Sequence, residues 1–292
     1  MNKILREFMN ENGMNQKQVA AAFNVSIPTI SQYLNDKYMG KNDELDEKVK
    51  DLIARFKEKK IAANYNDEFV RTFSAMQMIE VMRDAHVEGD VSVIYGAAGL
   101  GKTQAVKAYE RENPSAIVIE TCPSYTPKVL LQKIAEKMNL NTNGRVDAIF
   151  DAITAKLVGS ERVLLIDEAE LLSTRSLEFI RRIHDMTKVG VVLIGMPRLL
   201  INLKGANNEL AQLYGRVWRA CDLGNALPED DLTMLVESGL GSDEFAPLFI
   251  KYSKGNARRL SKLIRGVVRL SKLNERPIDE KLIQAYTKML IN

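Results

Sequence analysis

The sequence has little cysteine and no long apolar run. Its 292 residues include two cysteines, Cys122 and Cys221, and neither has a histidine at metal-ligand spacing. A disulfide framework and a cysteine-based metal site are therefore not expected, and two buried thiols are the simpler interpretation. No segment approaches the roughly 18 apolar residues of a membrane-spanning helix, and the start of the chain has no secretory apolar region. We expect a cytoplasmic protein with no membrane partner.

Charge is nearly balanced overall but uneven along the chain. The sequence has 41 Lys and Arg against 38 Asp and Glu, with 46% hydrophobic and 27% charged residues. These values exclude disordered and fibrous classes and predict a globular protein of about two domains, at roughly 150 residues each. Residues 251–292 hold 11 basic and 3 acidic side chains. Such a local excess favours a polyanion partner, with a merely solvated charged face as the alternative.

Apolar residues recur at helical spacing in three short segments near the start of the chain. They are Leu5, Phe8 and Met9, then Val19, Ala20 and Phe23, then Ile27, Ile30, Tyr33 and Leu34. Between the second and third segments, Asn24 suits the left-handed backbone of a tight turn and Ser26 suits the cap of the next helix. This part resembles a repressor-type helix-turn-helix, which implies an all-helical DNA-binding domain.

In helix-turn-helix proteins the first turn of the third helix enters the major groove. Here that turn carries Ile27 and Pro28, whose side chains offer no hydrogen bonds to base edges. We therefore expect loose binding directed mainly at phosphates, and a helical domain that contacts protein instead is the alternative. The candidate base contacts are Thr29, Ser31 and Gln32, and the candidate phosphate contacts are Gln16 and Lys17.

The middle of the chain alternates short β-branched runs with helical patterns. The runs are Val91–Tyr95, Ala116–Ile119, Val163–Ile166 and Val189–Ile194. Continuous apolar strands between helices predict a parallel sheet covered by helices on both faces. Ligands of such sheets bind at the carboxyl ends of the strands. We therefore expect the site in the loop that follows the first strand.

That loop fits the phosphate-loop pattern G-x-x-x-x-G-K-[ST] in full. It consists of Gly96, Ala97, Ala98, Gly99, Leu100, Gly101, Lys102 and Thr103. The glycines allow backbone N–H groups to turn toward a phosphate, Lys102 neutralises the outer phosphates, and the Thr103 hydroxyl is a ligand for Mg²⁺. The sequence therefore predicts ATP and Mg²⁺ as bound cofactors.

Two carboxylates follow the third apolar run. Asp167 and Glu168 stand directly after Ile166, so the strand delivers both to the phosphate site. We expect Asp167 to hold the metal through water and Glu168 to accept a proton from the water that attacks the γ-phosphate. This pair predicts ATP hydrolysis in addition to ATP binding.

The phosphate loop, the Asp-Glu strand end and the helical C-terminal part together resemble the AAA+ ATPases. The resemblance implies three further roles. A polar residue usually follows the fourth strand and orients the attacking water, but Met196, which cannot do so, stands there, so we expect slow hydrolysis or another residue in that role. Arg216, with Arg219 in reserve, matches the finger that reaches a neighbouring subunit's nucleotide. Arg258, in the stretch Gly255–Arg259, matches the lid arginine that contacts the phosphates. Trp218, between the two arginines, is interpreted as a core residue, with an interface position as the alternative.

The chain thus divides into three predicted parts. Residues 1–61 form the helix-turn-helix DNA-binding domain, residues 62–225 the AAA+ α/β core, and residues 226–292 the helical lid. The first part ends in a charged amphipathic helix from Lys41 to Lys60, and Ile61–Asn66 is the predicted linker. Two basic residues outside the first part, Arg145 and Lys188, are candidate DNA contacts of the core.

Nearly the whole chain resembles the MuB-like target-selection ATPases of Mu-type phage transposition. Local matches include Asn35–Tyr38, Phe69–Thr72 and Gly190–Gly195. The resemblance implies an ATP-dependent, largely non-specific binder of double-stranded DNA that forms helical filaments, selects the transposition target and delivers it to a DDE transposase. It also implies that Phe69 and Val70 flank the adenine. Its ATPase activity is expected to be slow and DNA-stimulated.

Three alternatives stay open at this stage. The first is a helicase loader or replication initiator, which shares the AAA+ core. The second is a transcriptional regulator whose ATPase controls a helix-turn-helix, although Ile27 and Pro28 weaken it. The third is a binding module with a degenerate ATPase, which Glu168 weakens and Met196 favours.

Overall fold

The computed structural model describes residues 1–63, 68–204 and 210–289, with the backbone alone for residues 57–63. The chain divides into two compact units, one of residues 1–66 and 267–278 and the other of residues 67–266 and 279–292. The domain boundaries at residues 61 and 225 stay predictions. Of the predicted linker, residues 61–63 are helical, and residues 64–66 lie outside the described part of the chain.

The first unit contains the three predicted short helices and a longer fourth one. They are α1 (Asn2–Glu11), α2 (Gln16–Phe23), α3 (Ile27–Leu34) and α4 (Asn42–Ala63). Asn24 ends α2 in the left-handed conformation, with φ 53° and ψ 50°, and the Ser26 hydroxyl caps α3 by accepting from the Thr29 N–H at 3.2 Å. The turn chemistry expected from the sequence is therefore present.

The core of this unit is a small cluster in which Leu5, Val19, Ile30 and Val49 are fully buried. The Phe8 ring packs edge-to-face on Phe56, with centroids 5.1 Å apart. Because each helix contributes one apolar stripe, the polar faces of α2 and α3 stay outside the core. The predicted helix-turn-helix is confirmed at the level of the fold.

The second unit is built on five strands, all parallel, in the order β2-β3-β4-β1-β5. Every residue of β3 and β4 is buried, which requires cover on both faces of the sheet. The predicted α/β class is therefore confirmed. The strands are β1 (Val91–Tyr95), β2 (Ala116–Glu120), β3 (Val163–Asp167), β4 (Gly190–Gly195) and β5 (Val217–Asp222).

In the part of the chain that the structure describes, seven helices accompany the sheet and four follow it, in agreement with the predicted helical C-terminal part. The first seven are α5 (Phe73–Glu88), α6 (Lys102–Glu112), α7 (Pro127–Lys137), α8 (Val146–Leu157), α9 (Thr174–Thr187), α10 (Arg198–Lys204) and α11 (Ala211–Tyr214). The last four are α12 (Glu229–Leu240), α13 (Ala246–Ser253), α14 (Ala257–Leu273) and α15 (Glu280–Thr287). Within the described ranges, no helix combines the length and apolarity needed to cross a membrane.

Two side chains lie elsewhere than the sequence suggested. The sequence favours a core position for Trp218, but its side chain is 78% exposed. The reason is an irregularity at the edge strand: Val91 pairs with Val217 and Ser92 pairs with Arg219, so Trp218 falls in a bulge without a partner on β1. Cys221 is buried as expected, whereas Cys122 is partly exposed and its Sγ lies 3.0 Å from the Ser124 hydroxyl.

One buried carboxylate connects α12 to the start of α5. Asp231, in the first turn of α12, is fully buried, and its two oxygens accept from the backbone N–H groups of Phe73 at 2.9 Å and Ser74 at 3.1 Å. These N–H groups begin α5 and have no partner within that helix. Asp231 therefore supplies both the hydrogen bonds and the negative charge that the start of α5 needs.

We predict that Asp231→Ala lowers the free energy of unfolding by about 3 kcal/mol, because two charge-assisted hydrogen bonds are lost from a buried position. The matched control is Asp230→Ala in the same helical turn, where the side chain is exposed and the expected change is below about 0.5 kcal/mol. Urea titration followed by circular dichroism measures both. Equal changes in the two variants would contradict this account.

Candidate nucleotide-binding site

The phosphate loop lies between β1 and α6, as its sequence predicts. Gly99 and Gly101 have φ of 83° and 91°, in the left-handed region that residues with a Cβ rarely adopt. Gly101 is also the N-cap of α6. The first N–H groups of a helix have no intrahelical partner and carry partial positive charge. The loop therefore ends at a helix start that is suited to a phosphate.

Lys102 is held inside the loop by backbone carbonyls. Its Nζ donates to Gly96 O and to Ala97 O, each at 2.8 Å. Burial lowers the pKa of Lys102, while the charges of Glu170 and Asp167 oppose that shift. Two of the three ammonium donors are used within the loop, so the position of the charge is set before any ligand binds.

The end of β3 meets the start of α6. The Thr103 hydroxyl donates to Asp167 Oδ2 at 2.7 Å, and Asp167 is 3% exposed. A hydroxyl and a carboxylate are hard oxygen donors, which Mg²⁺ prefers, and Mg²⁺ usually takes few protein ligands besides substrate phosphates. The residues present therefore fit a magnesium ion.

Glu168 follows Asp167 in a left-handed conformation with φ 55°. Its backbone is fixed on both sides, since its N–H donates to Asp167 Oδ1 at 2.9 Å and its carbonyl accepts from the Thr121 hydroxyl at 2.7 Å. Burial raises the pKa of the Glu168 carboxyl, and the nearby charges of Asp167, Glu170 and Glu120 raise it further. A carboxyl with a raised pKa is a better proton acceptor than a free glutamate.

The start of α14 is hydrogen-bonded to the phosphate loop. The Asn256 amide donates to Ala98 O at 2.8 Å, and the Arg258 N–H donates to Gly99 O at 3.1 Å. The Arg258 guanidinium is close enough to lower the pKa of both Lys102 and Glu168. The structure thus brings Arg258 to the same place as the phosphate loop and the Asp-Glu pair.

Two residues at the site were missed by the sequence reasoning. Asn256 lies beside Arg258 within a motif that was noticed for its arginine alone. Glu170 lies three residues after Asp167, and its charge acts on both Lys102 and Glu168. An acidic residue that close to a strand end was the one available signal. Met196, which follows β4, is 42% exposed and its thioether is a weak hydrogen-bond acceptor.

The two predicted finger arginines are not at this site. Arg216 directly precedes β5, and its Nε donates to Asp185 Oδ1 at 2.7 Å. That hydrogen bond lowers the pKa of the Asp185 carboxyl. Arg219 forms an ion pair with Asp84. Because β5 is parallel to β1, Arg216 lies at the amino ends of the strands, whereas the phosphate loop lies at their carboxyl ends.

The segment before α5 lies beside α6. Phe69, Gln104, Lys107 and Arg111 are among the residues that line a cleft of about 670 Å³. Phe69 and Val70 are both partly buried. Of the two predicted adenine contacts, Phe69 therefore lies along the helix that carries the phosphate loop at its start.

The candidate DNA contacts lie in both units. Thr29, Ser31 and Gln32 are on α3, and Gln16 and Lys17 open α2. The Thr29 hydroxyl is 2.9 Å from that of Ser26, so it already has a partner. In the second unit Arg145 pairs with Asp147 at 3.2 Å. Lys188 is exposed and ends α9 in a left-handed conformation.

Two family models match the chain. A helix-turn-helix model matches residues 5–39, and an AAA domain model matches residues 86–203. The first range covers α1 to α3, and the second includes the phosphate loop and the Asp-Glu pair. These matches agree with the two folds described above.

Relatives of known name resemble most of the chain. The ATP-dependent target DNA activator B of Escherichia phage Mu is 32% identical over 220 residues, which are 73% of this chain and 69% of that protein. The Mu-like prophage FluMu DNA transposition protein B of Haemophilus influenzae is 26% identical over 250 residues, which are 83% of this chain and 86% of that protein.

Solved structures share the fold at low identity. The ORC2 protein of Aeropyrum pernix in its ADPNP-ADP complexes has a TM-score of 0.60 and 17% identity, covering 78% of this chain and 71% of its own. Domain III of the replication initiation protein DnaA from Thermotoga maritima has a TM-score of 0.53 and 16% identity, covering 79% and 96%. At these identities the likeness shows the AAA+ fold alone.

The raised pKa of Glu168 predicts the acidic limb of the rate profile. A base must be deprotonated, so a raised pKa moves that limb to higher pH than an ordinary glutamate would give. Glu120→Gln removes one of the charges that raise this pKa and should shift the limb to lower pH, with kcat unchanged on the plateau. The measurement is kcat for ATP from about pH 5 to pH 8. Glu136→Gln, on the exposed face of α7, is the control. If Glu120→Gln leaves the acidic limb of the kcat profile at its wild-type pH, the assignment of Glu168 as the base is wrong.

Proposed function

This chain belongs to the target DNA activator B family of Mu-like phages, and we propose on that premise that it is an ATPase that binds double-stranded DNA and activates it as a transposition target. The observation that carries the proposal is the convergence of Lys102, the Thr103–Asp167 pair and the Arg258 lid segment on one phosphate loop. The proposed reaction is hydrolysis of ATP to ADP and phosphate.

Each group at the site has a role in that reaction. Lys102 neutralises the outer phosphates from its position inside the loop, and Gly96–Thr103 presents backbone N–H groups to them. Thr103 and Asp167 would hold Mg²⁺, which when bound supplies charge neutralisation on the phosphate oxygens. Glu168 accepts a proton from the attacking water. Its raised pKa suits that step.

The lid reports the state of the nucleotide. Asn256 and Arg258 are bonded to loop carbonyls, and the Arg258 charge acts on Lys102 and Glu168. A γ-phosphate adds an anion that favours the arginine in place, and its loss removes that attraction. Hydrolysis is therefore coupled to movement of α14 relative to the loop.

Arg216 serves a neighbouring subunit. It lies one strand length from its own phosphate loop, about 16 Å for five residues at about 3.3 Å each, and it is 43% exposed. An arginine at that distance reaches a phosphate only across a subunit boundary. ATP bound between two subunits then stabilises the assembly while its γ-phosphate is present. We propose an ATP-dependent helical filament as that assembly.

DNA binding is non-specific and adds along the filament. The candidate contacts of α2 and α3 are short polar side chains, with one lysine, and Arg145 and Lys188 add charge in the core. Phosphate contacts of this kind bind weakly and without sequence preference. Repetition in successive subunits raises the affinity by avidity. The filament-coated DNA is then delivered to a DDE transposase, and DNA stimulates the slow ATPase.

Two variants separate binding of ATP from its turnover. Lys102→Ala should fold normally but lose ATP-dependent DNA binding by at least about tenfold, because a phosphate contact is lost. Glu168→Gln should bind ATP and DNA but lower kcat by about 100-fold or more, and its filaments should persist. Electron microscopy on random-sequence DNA with ATP, together with phosphate release, measures both.

Two outcomes would contradict this assignment of roles. If Lys102→Ala forms filaments with ATP as readily as the wild type does, the phosphate loop has no role in filament assembly. Filaments of Glu168→Gln that disassemble at the wild-type rate would show that Glu168 is not the base. DNA coating that needs no nucleotide in the wild type would refute the ATP switch itself.

Mixing two inactive variants tests whether Arg216 acts across subunits. Arg216→Ala keeps its nucleotide site and Lys102→Ala keeps its finger, so each alone should lose at least about tenfold in kcat. Mixed at equal concentration, they should recover activity, because an Arg216→Ala site then receives the finger of a Lys102→Ala neighbour. The control mixture contains Arg219→Ala in place of Arg216→Ala, together with Lys102→Ala. A mixture no more active than its parts would place Arg216 outside the trans site.

A further inference from the structure

A carboxylate beside the nucleotide site has no assigned role. Glu170 lies in the one-turn 3₁₀ helix Ala169–Leu171 that follows β3. Its backbone carbonyl accepts from the Asn202 amide at 2.9 Å. Its Oε2 is buried and has no hydrogen-bond partner among the residues that the structure describes. A buried acceptor without a donor destabilises the fold, and Glu170 as a whole is only partly buried, so the carboxylate is kept at this edge of the site at a cost in stability.

The carboxylate lies under the end of β4. A Cβ built on Gly195 would be 2.2 Å from Glu170 Oε2, so this oxygen occupies space that only a glycine leaves open. The Gly195 carbonyl in turn accepts from the Gly96 N–H at 3.3 Å. Glu170 therefore lies next to the first residue of the phosphate loop.

The charge of the same carboxylate acts on two of the main site residues. Burial lowers the pKa of Lys102, and Glu170 is the strongest opposing charge, ahead of Asp167. Burial raises the pKa of Glu168, with Asp167 and then Glu170 adding to the effect. One carboxylate therefore acts on both the phosphate-binding lysine and the proposed base.

The residue after Gly195 does not supply a strong polar group. Met196 has a thioether, which is a weak acceptor, and the side chain is 42% exposed. The strong hydrogen-bond acceptor at the end of β4 is therefore the Glu170 carboxylate, which belongs to the segment that follows β3. Gly195 and Glu170 form a matched pair in which the glycine makes room for the carboxylate.

We infer that Glu170 accepts a hydrogen bond from the attacking water and holds it in line with the γ-phosphate, in place of a polar side chain at position 196. The inference rests on the proposed ATPase activity. The water oxygen forms a bond to the γ-phosphorus while the bond to the bridging oxygen of ADP breaks. One proton passes to Glu168, and the other hydrogen stays on the new phosphate after its bond to Glu170 is released.

The first test is Glu170→Ala, with steady-state kinetics, nucleotide titration and thermal unfolding on the full chain. We expect kcat to fall about 10- to 100-fold, since one hydrogen bond to the reacting group is lost, with KM and the affinity for a fluorescent ADP within about twofold. The melting temperature should stay equal or rise, because an unpartnered buried acceptor is removed. A structural carboxylate would instead lower the melting temperature. Glu136→Gln, which removes a charge from the exposed face of α7, is the matched control and should leave plateau kcat unchanged.

Two further variants use the geometry of the strand end. Gly195→Ala should displace the Glu170 carboxylate and lower kcat without weakening ADP binding. Added to Glu170→Ala, it should cause little further loss in kcat, because both changes remove the same contact. Met196→Asn places an amide at the strand end and should restore at least about tenfold of the kcat lost in Glu170→Ala. If Glu170→Ala lowered kcat through a structural defect, an amide at position 196 would not restore the lost kcat.

The outcomes separate this inference from the proposed function. The role of Glu170 would be overturned if Glu170→Ala kept the wild-type kcat, or if its loss of kcat came with a lower melting temperature. It would also be overturned if the losses of kcat in Glu170→Ala and Gly195→Ala were additive, or if Met196→Asn restored none of the lost kcat. If the wild-type protein releases no phosphate from ATP under any condition, the proposed ATPase itself is wrong.

Discussion

The nucleotide site depends on how the carbonyls of one short loop are occupied. Lys102 takes the carbonyls of Gly96 and Ala97, and the start of α14 takes those of Ala98 and Gly99. In a trans peptide the N–H points opposite to the C=O. Because the carbonyls of Ala98 and Gly99 are hydrogen-bonded to the start of α14, the N–H groups that follow them point the opposite way, where a phosphate can accept from them. The conformation of the loop is thus supported jointly by Lys102 and by the start of α14.

The phosphate loop is therefore supported in part by α14. If α14 moves, two carbonyls of the loop lose their donors and the loop loses part of its support. The Thr103–Asp167 hydrogen bond holds the other side, where α6 meets the end of β3. The loop is thus held from two sides, by the end of β3 and by the start of α14.

The site also contains features that cost stability. Glu168 has a left-handed backbone, and Glu170 has a buried oxygen without a described partner. Strained backbone and unpaired polar groups persist where surrounding contacts outweigh their cost, and they concentrate at functional positions. Here the fully buried strands β3 and β4 supply those contacts. Stability of the core and the chemistry at its edge are thus linked through the same two strands.

The sequence by itself determined the phosphate loop, the Asp-Glu pair, the parallel sheet and the helix-turn-helix, because each is a local pattern of spacing or alternation. Tertiary structure alone decided four other features: Asn256 on Ala98, Glu170 under Gly195, Arg216 on Asp185, and Trp218 exposed at a bulge. Each depends on backbone segments that are distant in the chain or on the register between two strands. No local pattern carries that information, since it arises when the elements pack.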